Sequence, residues 1–247
     1  MKVLVISDFH GKVDVLEPLI NTVKKHAPRL IVFCGDIVQG YSRGDEWLSA
    51  RNENRLPRKD LPSIREEEPQ DYGFYKVFFD TLESIGVKSF CVPGNMDAPI
   101  SRYLRSIEGY TNVMNIHNKK VEYNGFIFVG FGGEVSKNLH EDFFVNIFKE
   151  DELEIFDNLK EELPLIFVMH TPPVCEAATE PTGYKGEFVV NELIAKHRPR
   201  YLFCGHAHKA RGKSIVNSTI VVNPGPLKYR YFALVDTDSG EVQLLEL

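Results

Sequence analysis

Five short apolar runs stand out in the sequence, and each is followed within three residues by a polar side chain that can bind a metal ion. The runs cover residues 3–6, 30–33, 90–92, 165–169 and 201–203. Continuous apolar runs of this length are typical of strands that are buried on both faces, as in the parallel sheets of α/β proteins. The carboxyl ends of such strands converge on one crevice, where ligands bind. The pattern therefore predicts an α/β fold whose ligand site is built from distant segments.

The residues between these runs predict helices outside the sheets. Apolar residues recur at helical spacing over residues 13–26 and 75–85, and further helices are expected at about 150–163 and 188–197. The last third of the chain is mainly β, and Asn124-Gly125 between two apolar runs is a strong hairpin signal. A βαβ start and a β-rich finish together predict two packed sheets with helices on their outer faces.

Residues from about 39 to 72 interrupt this pattern. The stretch is dense in charged residues and contains Pro57, Pro62 and Pro69. Loops of this length in a compact domain are usually functional or disordered. Two interpretations stay open: a solvated excursion, or a lid or partner surface beside the crevice with Tyr41 and Trp47 as its apolar contacts. We expect a single domain over residues 1–247 with a charged insertion at about 39–72.

The size and charge of the chain exclude some classes of function. A length of 247 residues fits one large domain with a sizeable core. The formal net charge of −6 argues against a general nucleic-acid-binding protein, which usually has a basic face. Bound divalent cations would cancel part of that charge locally, so an anionic substrate is compatible with it.

The sequence also predicts where the protein is located. We find no charged segment followed by an apolar stretch at the start, and no apolar run approaches the ~20 residues that a membrane span needs. We therefore expect a soluble, cytoplasmic protein without a membrane partner. The four cysteines form no CxxC pair, and three of them lie in apolar strand runs, which favours packing over a disulfide or a zinc-thiolate site.

The polar residues that follow the apolar runs form a candidate metal-binding set. In a strand, residues i and i+2 project to the same side, so Asp8 and His10 are expected to hold one ion from a single strand end. His206 and His208, after a strand and a glycine, are the strongest element by themselves. Asp36 has two equivalent oxygens with which to bridge two ions. Carboxylates, imidazoles and a carboxamide match the ligand preference of divalent transition metals.

Other members of this set have structural alternatives when taken singly. Asp36 follows a glycine and has the alternative of an ordinary turn residue. Asn95 lies in a Gly-Asn turn, where asparagine often occurs for backbone reasons alone. His170 has the alternative of a hydrogen-bonded core histidine. It is the occurrence of all these residues together that favours a metal site.

In order and character, these residues resemble the motifs of the calcineurin-like metallophosphoesterase family, D-x-H, G-D, G-N-H-[DE], H and G-H-x-H. Here the motifs read Asp8-Phe9-His10, Gly35-Asp36, Gly94-Asn95-Met96-Asp97, His170 and Gly205-His206-Ala207-His208. The resemblance extends from Met1 to about Gly225 and includes the turn at Asn223-Pro224-Gly225. The long segment between the second and third motifs and the short C-terminal part are similar to those of small prokaryotic Icc-like phosphoesterases.

The resemblance implies a fold and a reaction. The fold would be a four-layer α-β-β-α arrangement, in which two mixed β-sheets form a β-sandwich flanked by helices. The reaction would be hydrolysis of a small phosphate-ester substrate by a hydroxide that bridges two divalent metal ions and attacks phosphorus in line. Manganese is the first choice of metal, with iron, zinc, nickel and cobalt as alternatives.

The resemblance also assigns the ligands. The first ion would be held by Asp8, His10, Asp36 and His208, and the second by Asp36, Asn95, His170 and His206. Asp36, Asn95 and His170 would act in catalysis through the metal-bound hydroxide. Asp97 would orient a ligand, with the alternative that it is a turn residue.

The chain departs from the family pattern at Met96, where the third motif usually has a histidine. That histidine is thought to assist the leaving oxygen, and a thioether has no proton to donate. Three consequences stay open: a preference for leaving groups that depart unprotonated, a donor from His117 or His140, or a slow enzyme.

We favour a phosphodiesterase. The alternative is a weakly active or inactive scaffold for protein interactions; a nuclease is disfavoured by the acidic charge, and a homo-oligomer stays open.

Overall fold

The computed structural model describes residues 1–157, 159 and 162–247, and these residues form fourteen strands and five α-helices. The strands are β1 Lys2–Ile6, β2 Leu30–Phe33, β3 Ser89–Cys91, β4 Val113–Asn115, β5 Lys119–Tyr123, β6 Phe126–Phe131, β7 Glu134–Ser136, β8 Ile147–Lys149, β9 Leu165–Met169, β10 Tyr201–Phe203, β11 Gly212–Val216, β12 Thr219–Asn223, β13 Tyr231–Asp236 and β14 Glu241–Glu246. The helices are α1 Leu16–His26, α2 Tyr41–Asn52, α3 Pro62–Ile85, α4 Ile100–Ser106 and α5 Phe188–His197.

The strands form two six-stranded mixed sheets. The first has the order β14-β13-β1-β2-β3-β4, and the second has the order β11-β12-β10-β9-β6-β5. In the first sheet β1, β2, β3 and β4 are parallel, and β13 and β14 are added at one side by antiparallel pairing. In the second sheet β6, β9, β10 and β12 are parallel, and the edge strands β5 and β11 pair antiparallel. Strands β7 and β8 form a separate parallel pair. The predicted α/β fold with two mixed sheets flanked by helices is confirmed.

Alternate residues of β1 belong to two different hydrophobic clusters. Val3 and Val5 pack between the two sheets, in a cluster that also contains Phe128 and Val168 of the second sheet. Leu4 and Ile6 face the other way, in the cluster that covers the first sheet with residues of α1 and α3. A third cluster packs α5 on the outer face of the second sheet. Both faces of the inner strands are therefore buried, which explains their continuous apolar sequence.

The segment at 39–72 is helical rather than an irregular loop. Helix α2 and the first half of α3 lie in it, and Pro62 occupies the start of α3, where a proline is well tolerated. The helical pattern is hard to see in the sequence because charged residues are buried on the contacting faces. The side chains of Arg43, Glu67 and Asp71 are all almost fully buried. Whether the segment is an insertion into the domain stays a prediction.

Two further expectations concern helices. In place of the helix expected at about 150–163, the structure has short 3₁₀ turns at Glu150–Glu152 and Glu154–Phe156, and residues 158, 160 and 161 of that prediction lie outside the described residues. Within the part of the chain that is described, every helix is too short or too polar to span a membrane.

The two sheets meet at the edge where their parallel strands end. The loops after β1 and β2 are joined by a hydrogen bond from the Asp8 N–H to the Gly35 carbonyl at 2.8 Å. The loops after β9 and β10 are joined by a bond from the Gly205 N–H to the His170 carbonyl at 3.1 Å. His170 also reaches across to the first sheet, where its Nδ1 lies 2.7 Å from the Cys34 carbonyl. The candidate site therefore lies at the seam between the sheets.

Candidate metal centre

Four of the seven predicted ligands have a left-handed backbone conformation. The φ angles are 58° for Asp8, 45° for His10, 67° for Asp36 and 67° for His206. Non-glycine residues rarely adopt these angles, and such strain concentrates at functional sites. Strand β1 already ends at Ile6. The expectation that Asp8 and His10 share a side because they alternate in a strand is therefore wrong, since a tight left-handed turn brings them together instead.

The first predicted ligand group is assembled in the structure. Asp8, His10, Asp36 and His208 each offer one ligand atom, and these atoms all lie within 4.8 Å of one another. His208 Nε2 is 3.0 Å from Asp8 Oδ1 and 3.2 Å from His10 Nε2. Three of the four side chains are buried, and that of His208 is about one-third exposed. Nitrogen and carboxylate oxygen atoms at this spacing could surround one cation.

The second predicted group lies directly beside the first. Asn95 Oδ1 is 2.9 Å from His170 Nε2 and 3.1 Å from His206 Nδ1. The two imidazole nitrogens are themselves 3.3 Å apart. The structure thus brings together the amide oxygen and both histidines that the sequence assigned to a second ion.

Asp36 connects the two groups. Its Oδ2 atom lies 3.5 Å from His10 Nε2 in the first group and 3.5 Å from His170 Nε2 in the second. Its Oδ1 atom accepts a hydrogen bond from the Met96 N–H at 2.8 Å, which fixes the carboxylate plane. One oxygen is thereby used for structure, while the other faces both groups of ligand atoms.

Backbone carbonyls fix the tautomers of two of the histidines. His10 Nδ1 lies 3.1 Å from the Val38 carbonyl, and His170 Nδ1 lies 2.7 Å from the Cys34 carbonyl. Because a carbonyl can only accept, Nδ1 carries the proton in each ring, and Nε2 is directed into the site. Metal-binding histidines are commonly oriented by such contacts of the second ring nitrogen.

The buried charges of the site attract a positive charge. Burial alone would raise the pKa values of Asp8 and Asp36, but the surrounding imidazoles, with His208 hydrogen-bonded to Asp8, hold both below their ordinary range. Burial lowers the pKa of His10 to about 4. The pKa of His170 is raised to about 9 because the charge and hydrogen bond of Asp36 outweigh its burial. A proton on His170 then supplies the positive charge that a cation would otherwise bring.

Asp97 organises the turns that carry two of the predicted ligands. Its carboxylate accepts hydrogen bonds from the backbone N–H groups of Asp36 at 2.9 Å and Gly94 at 2.8 Å, as well as from those of Ile37 and Val38. Burial and the charge of Asp36 raise its pKa to about 7. Asp97 is thus a buried turn residue whose hydrogen bonds also determine the position of the Asp36 backbone. Its role in orienting a metal ligand stays a prediction.

Met96 orients Asn95 and fills the space beside it. The Asn95 amide nitrogen donates to the Met96 sulfur at 3.5 Å, which turns the amide oxygen towards His170 and His206. The terminal methyl group of Met96 packs against α2, where a Cβ atom added at Gly44 would lie 3.0 Å from it. At the position where the family motif usually has a histidine, this chain therefore has a side chain that packs against α2 and has no proton to donate.

The two histidines considered as replacement donors have other contacts. His117 Nδ1 accepts the Gly132 N–H at 2.9 Å, and its ring packs against Phe131 and Phe148. His140 is substantially exposed, and its Nδ1 lies 2.9 Å from a Glu152 carboxylate oxygen. Neither contact directs a proton towards the ligand groups.

Lys228 is a site residue that the motifs of the sequence did not reveal. Its Nζ atom is 3.4 Å from His208 Nδ1, and its backbone N–H donates to the Asp8 carbonyl at 3.2 Å. Burial lowers its pKa, whereas the charges of Asp8 and Asp36 act in the opposite direction. The available signal was its place three residues after Gly225, the end of the last motif.

Tyr184 and Glu134 also lie close to the second group and were not predicted. The Tyr184 ring is 5.0 Å from the His206 ring, centroid to centroid, in an edge-on arrangement. Glu134 begins β7, and burial raises its pKa while the charge of His170 acts to lower it. Neither residue belongs to a motif, so the sequence offered no signal for them.

Comparisons with known proteins agree with this architecture. The family model for the metallophosphoesterases of the calcineurin superfamily matches residues 1–247. A solved crystal structure at 29% identity has a TM-score of 0.90, over 99% of this chain and 98% of its own. TT1561 of Thermus thermophilus has 21% identity and a TM-score of 0.76, over 99% and 98% of the two chains. A dimetal phosphatase from Danio rerio has 15% identity and a TM-score of 0.62, over 95% and 91%, a similarity of fold alone. No curated protein matches the sequence.

Proposed function

Because the chain belongs to the calcineurin superfamily of metallophosphoesterases, we propose that it hydrolyses phosphate esters, and preferentially diesters, at a centre for two divalent cations. The observation that carries this proposal is the position of Asp36 Oδ2, which is 3.5 Å from one histidine of each ligand group. A single carboxylate oxygen that faces two groups of nitrogen and oxygen atoms could serve as a ligand to both ions of a two-metal hydrolase.

The chemistry of the side chains fits such cations. Asp8 and Asp36 are buried carboxylates whose pKa values lie below the ordinary range, so they are anionic at neutral pH. Buried anions need compensation by a bound cation or by proton uptake. The imidazole nitrogens favour Fe²⁺, Co²⁺, Ni²⁺ or Zn²⁺ over Ca²⁺ and Mg²⁺, and the carboxylate and amide oxygens also suit Mn²⁺. Manganese is our first choice.

Each residue has a separate task in the proposed reaction. Two bound divalent cations would neutralise phosphate charge and make a water molecule more acidic for attack at phosphorus. Asp36 would be a ligand to both cations, and Asp97 accepts a hydrogen bond from the Asp36 N–H and so fixes the turn that carries it. Asn95 presents a neutral oxygen, which adds a ligand without adding charge. Lys228 places a positive charge beside the first group, where it can attract an anionic ester.

The preference for diesters follows from Met96. A thioether cannot protonate a departing alkoxide, and general acid assistance contributes roughly 10²–10⁴-fold to such reactions. A monoester has a more negative phosphoryl group and depends strongly on help at the leaving oxygen. We therefore expect substrates whose leaving group is a stable anion, with phosphodiesters favoured over monoesters.

The location of the protein in the cytoplasm stays a prediction.

The test is an assay of the metal-loaded protein on matched substrates. The purified chain is stripped with a chelator, reloaded with Mn²⁺, and assayed with bis(p-nitrophenyl) phosphate and with p-nitrophenyl phosphate. We expect turnover of the diester to exceed that of the monoester and to disappear in Asp36→Ala. Asp14→Ala removes an exposed carboxylate and is the matched control, since it should retain activity. Absence of turnover with every metal in a folded sample would refute the proposal and favour the scaffold alternative.

A further inference from the structure

A cavity of about 480 Å³ opens next to Asn95 and Met96, and helix α2 forms one of its walls. The α2 residues facing it include Tyr41, Trp47 and Leu48, and the opposite wall contains Ile147 of β8. The cavity adjoins the candidate metal centre, because the predicted ligand Asn95 lines it together with Met96. Its volume lies in the range of small-molecule binding sites.

The lining of this cavity is mixed: apolar and aromatic side chains form most of it, and the polar residues Asp45, Arg51, Asn95, Glu134 and Ser136 also contribute. Tyr41 and Leu48 are 52% and 59% exposed, so both are accessible to a ligand. Trp47 stacks on Phe144 with ring centroids 6.2 Å apart and an interplanar angle of 18°. The Arg51 guanidinium lies 5.5 Å from the Trp47 ring. Flat rings and a guanidinium together favour a flat, π-rich ligand group.

Helix α2 is held firmly against the metal centre. Arg43 Nη1 donates to Glu67 at 2.9 Å and to Asp71 at 2.7 Å, and all three side chains are buried. Arg43 Nη2 also donates to the Met96 carbonyl at 3.2 Å. The apolar wall is therefore anchored to the residue that borders the ligand groups, and its position relative to them is fixed by the fold.

We propose that this cavity binds an aromatic group of the phosphoester substrate. This inference rests on the proposed function, because the phosphate must sit at the metal centre for its substituent to enter the cavity. The phosphorus substituent then lies against Met96 and extends towards Tyr41, Trp47 and Leu48. An aromatic ester oxygen leaves as a stabilised anion, so the class of group that fits the cavity is also the class that departs without the histidine that Met96 replaces.

Non-hydrolysable probes allow a test by binding alone. Phenylphosphonate and methylphosphonate share the anionic group, differ in the ring, and are not cleaved at the C–P bond. We expect calorimetry on the Mn²⁺-loaded protein to give a Kd for phenylphosphonate at least about tenfold lower than for methylphosphonate, from burial of the ring. Trp47 is the one tryptophan of the sequence, so its fluorescence should respond to phenylphosphonate but not to methylphosphonate.

A pair of leucine variants locates the binding. Leu48→Asp places a charge in the cavity wall, whereas Leu56→Asp makes the same change at an 87% exposed leucine outside it. We expect Leu48→Asp to weaken phenylphosphonate binding about tenfold and methylphosphonate binding less than twofold, and Leu56→Asp to change neither. Equal affinity for the two phosphonates, or an equal effect of the two variants, overturns the inference.

The outcomes separate this inference from the proposed function. If the metal-loaded protein turns over diesters but binds both phosphonates equally, the cavity is not an aromatic subsite and the catalytic proposal stands. If no ester is turned over but phenylphosphonate is still preferred and changes Trp47 fluorescence, the subsite stands and the catalytic proposal fails.

Discussion

The Nε2 atoms of His10 and His208 face each other at 3.2 Å. His10 Nδ1 carries its proton towards the Val38 carbonyl, so the Nε2 atom of His10 presents a lone pair to its neighbour. Asp8 Oδ1 lies 3.0 Å from the same His208 nitrogen. Electron-rich atoms this close in a largely buried place repel one another unless a proton or a cation lies among them. A cation bound among these three atoms would remove the repulsion, so we expect metal binding to stabilise the folded protein.

We expect Mn²⁺ to raise the free energy of unfolding. At a free concentration about 100 times its Kd, a ligand that binds only the folded state contributes about 2.7 kcal/mol. For a chain of this size that corresponds to a rise in Tm of roughly 5–10 °C. Thermal unfolding with Mn²⁺ and with EDTA measures it. His10→Ala should remove most of the rise, whereas His140→Ala, outside the ligand groups, should retain it. A rise that is unchanged in His10→Ala would contradict the assignment.

Asp36→Asn tests whether one oxygen serves two cations. The substitution keeps an acceptor for the Met96 N–H but removes the charge shared between the groups. We expect metal analysis to fall from two ions per chain to one or fewer, and kcat/KM to fall by about a thousandfold or more, since the lost interaction is worth several kcal/mol. Two ions retained by Asp36→Asn would show that Asp36 is not the shared ligand.

Asp71 is expected to be important for the stability of α2 and α3. It accepts a hydrogen bond from Arg43 at 2.7 Å and another from Arg102, and all three side chains are buried. Removing one partner of a buried ion pair leaves uncompensated charge and typically costs 3–5 kcal/mol. Asp71→Asn should therefore lower the free energy of unfolding in urea by about that amount.

The matched control for Asp71 lies on the same helix. Asp80 pairs with Lys76 at 2.6 Å, and both side chains are largely exposed. Exposed pairs of this kind contribute about 0–1 kcal/mol, so Asp80→Asn should change stability little. Similar losses in the two variants would show that burial of the Arg43 network is not what stabilises α2.

The sequence predicted the sheets because their physical cause is local. In β1, both Val3 and Leu4 must be apolar, since one packs between the sheets and the other beneath the helices. Helix α2 could not be predicted in the same way. The face that it buries contains Arg43, whose partners Glu67 and Asp71 lie 24 and 28 residues away, so no periodic apolar signal exists.

The candidate site could likewise be predicted only in part. Its seven predicted residues could be found because each follows an apolar strand, and the fold gathers them as the strand ends imply. Their local geometry could not be found, because the left-handed turn at Asp8 and His10 depends on hydrogen bonds to the loop that carries Asp36. Lys228 was missed because its proximity to His208 arises from packing of the chain after β12, which no motif records.

The pH dependence of stability should include a contribution from His117. Burial lowers the pKa of this histidine from 6.5 to about 4, and its Nδ1 accepts the Gly132 N–H. The unfolded chain therefore takes up a proton first as the pH falls. The stability that His117 contributes is complete above about pH 6.5 and is lost as the pH falls towards 4, up to about 3 kcal/mol.

The His117 contribution is isolated by comparison with His117→Asn, which can still accept a hydrogen bond but does not titrate. The free energy of unfolding, measured by urea denaturation between pH 7.5 and 4, should fall less steeply in His117→Asn than in the natural chain. The same slope in both proteins would show that His117 is protonated in the folded state at these pH values.

Met96→His places a proton donor at the position where the chain has a thioether. The backbone N–H of Met96 donates to Asp36 Oδ1, so residue 96 is held beside the shared carboxylate whatever its side chain is. If the absent donor limits the choice of substrate, an imidazole here should assist poor leaving groups most. We expect kcat/KM to rise roughly tenfold to a hundredfold for diesters with alkyl leaving groups, and to change little for aryl leaving groups.

Met96→Leu is the control, because it keeps an apolar side chain against Gly44 and adds no donor. The ratio of kcat/KM for aryl diesters to kcat/KM for alkyl diesters should therefore fall in Met96→His and stay unchanged in Met96→Leu. If this ratio changes equally in both variants, substrate choice depends on the shape of the cavity rather than on proton donation.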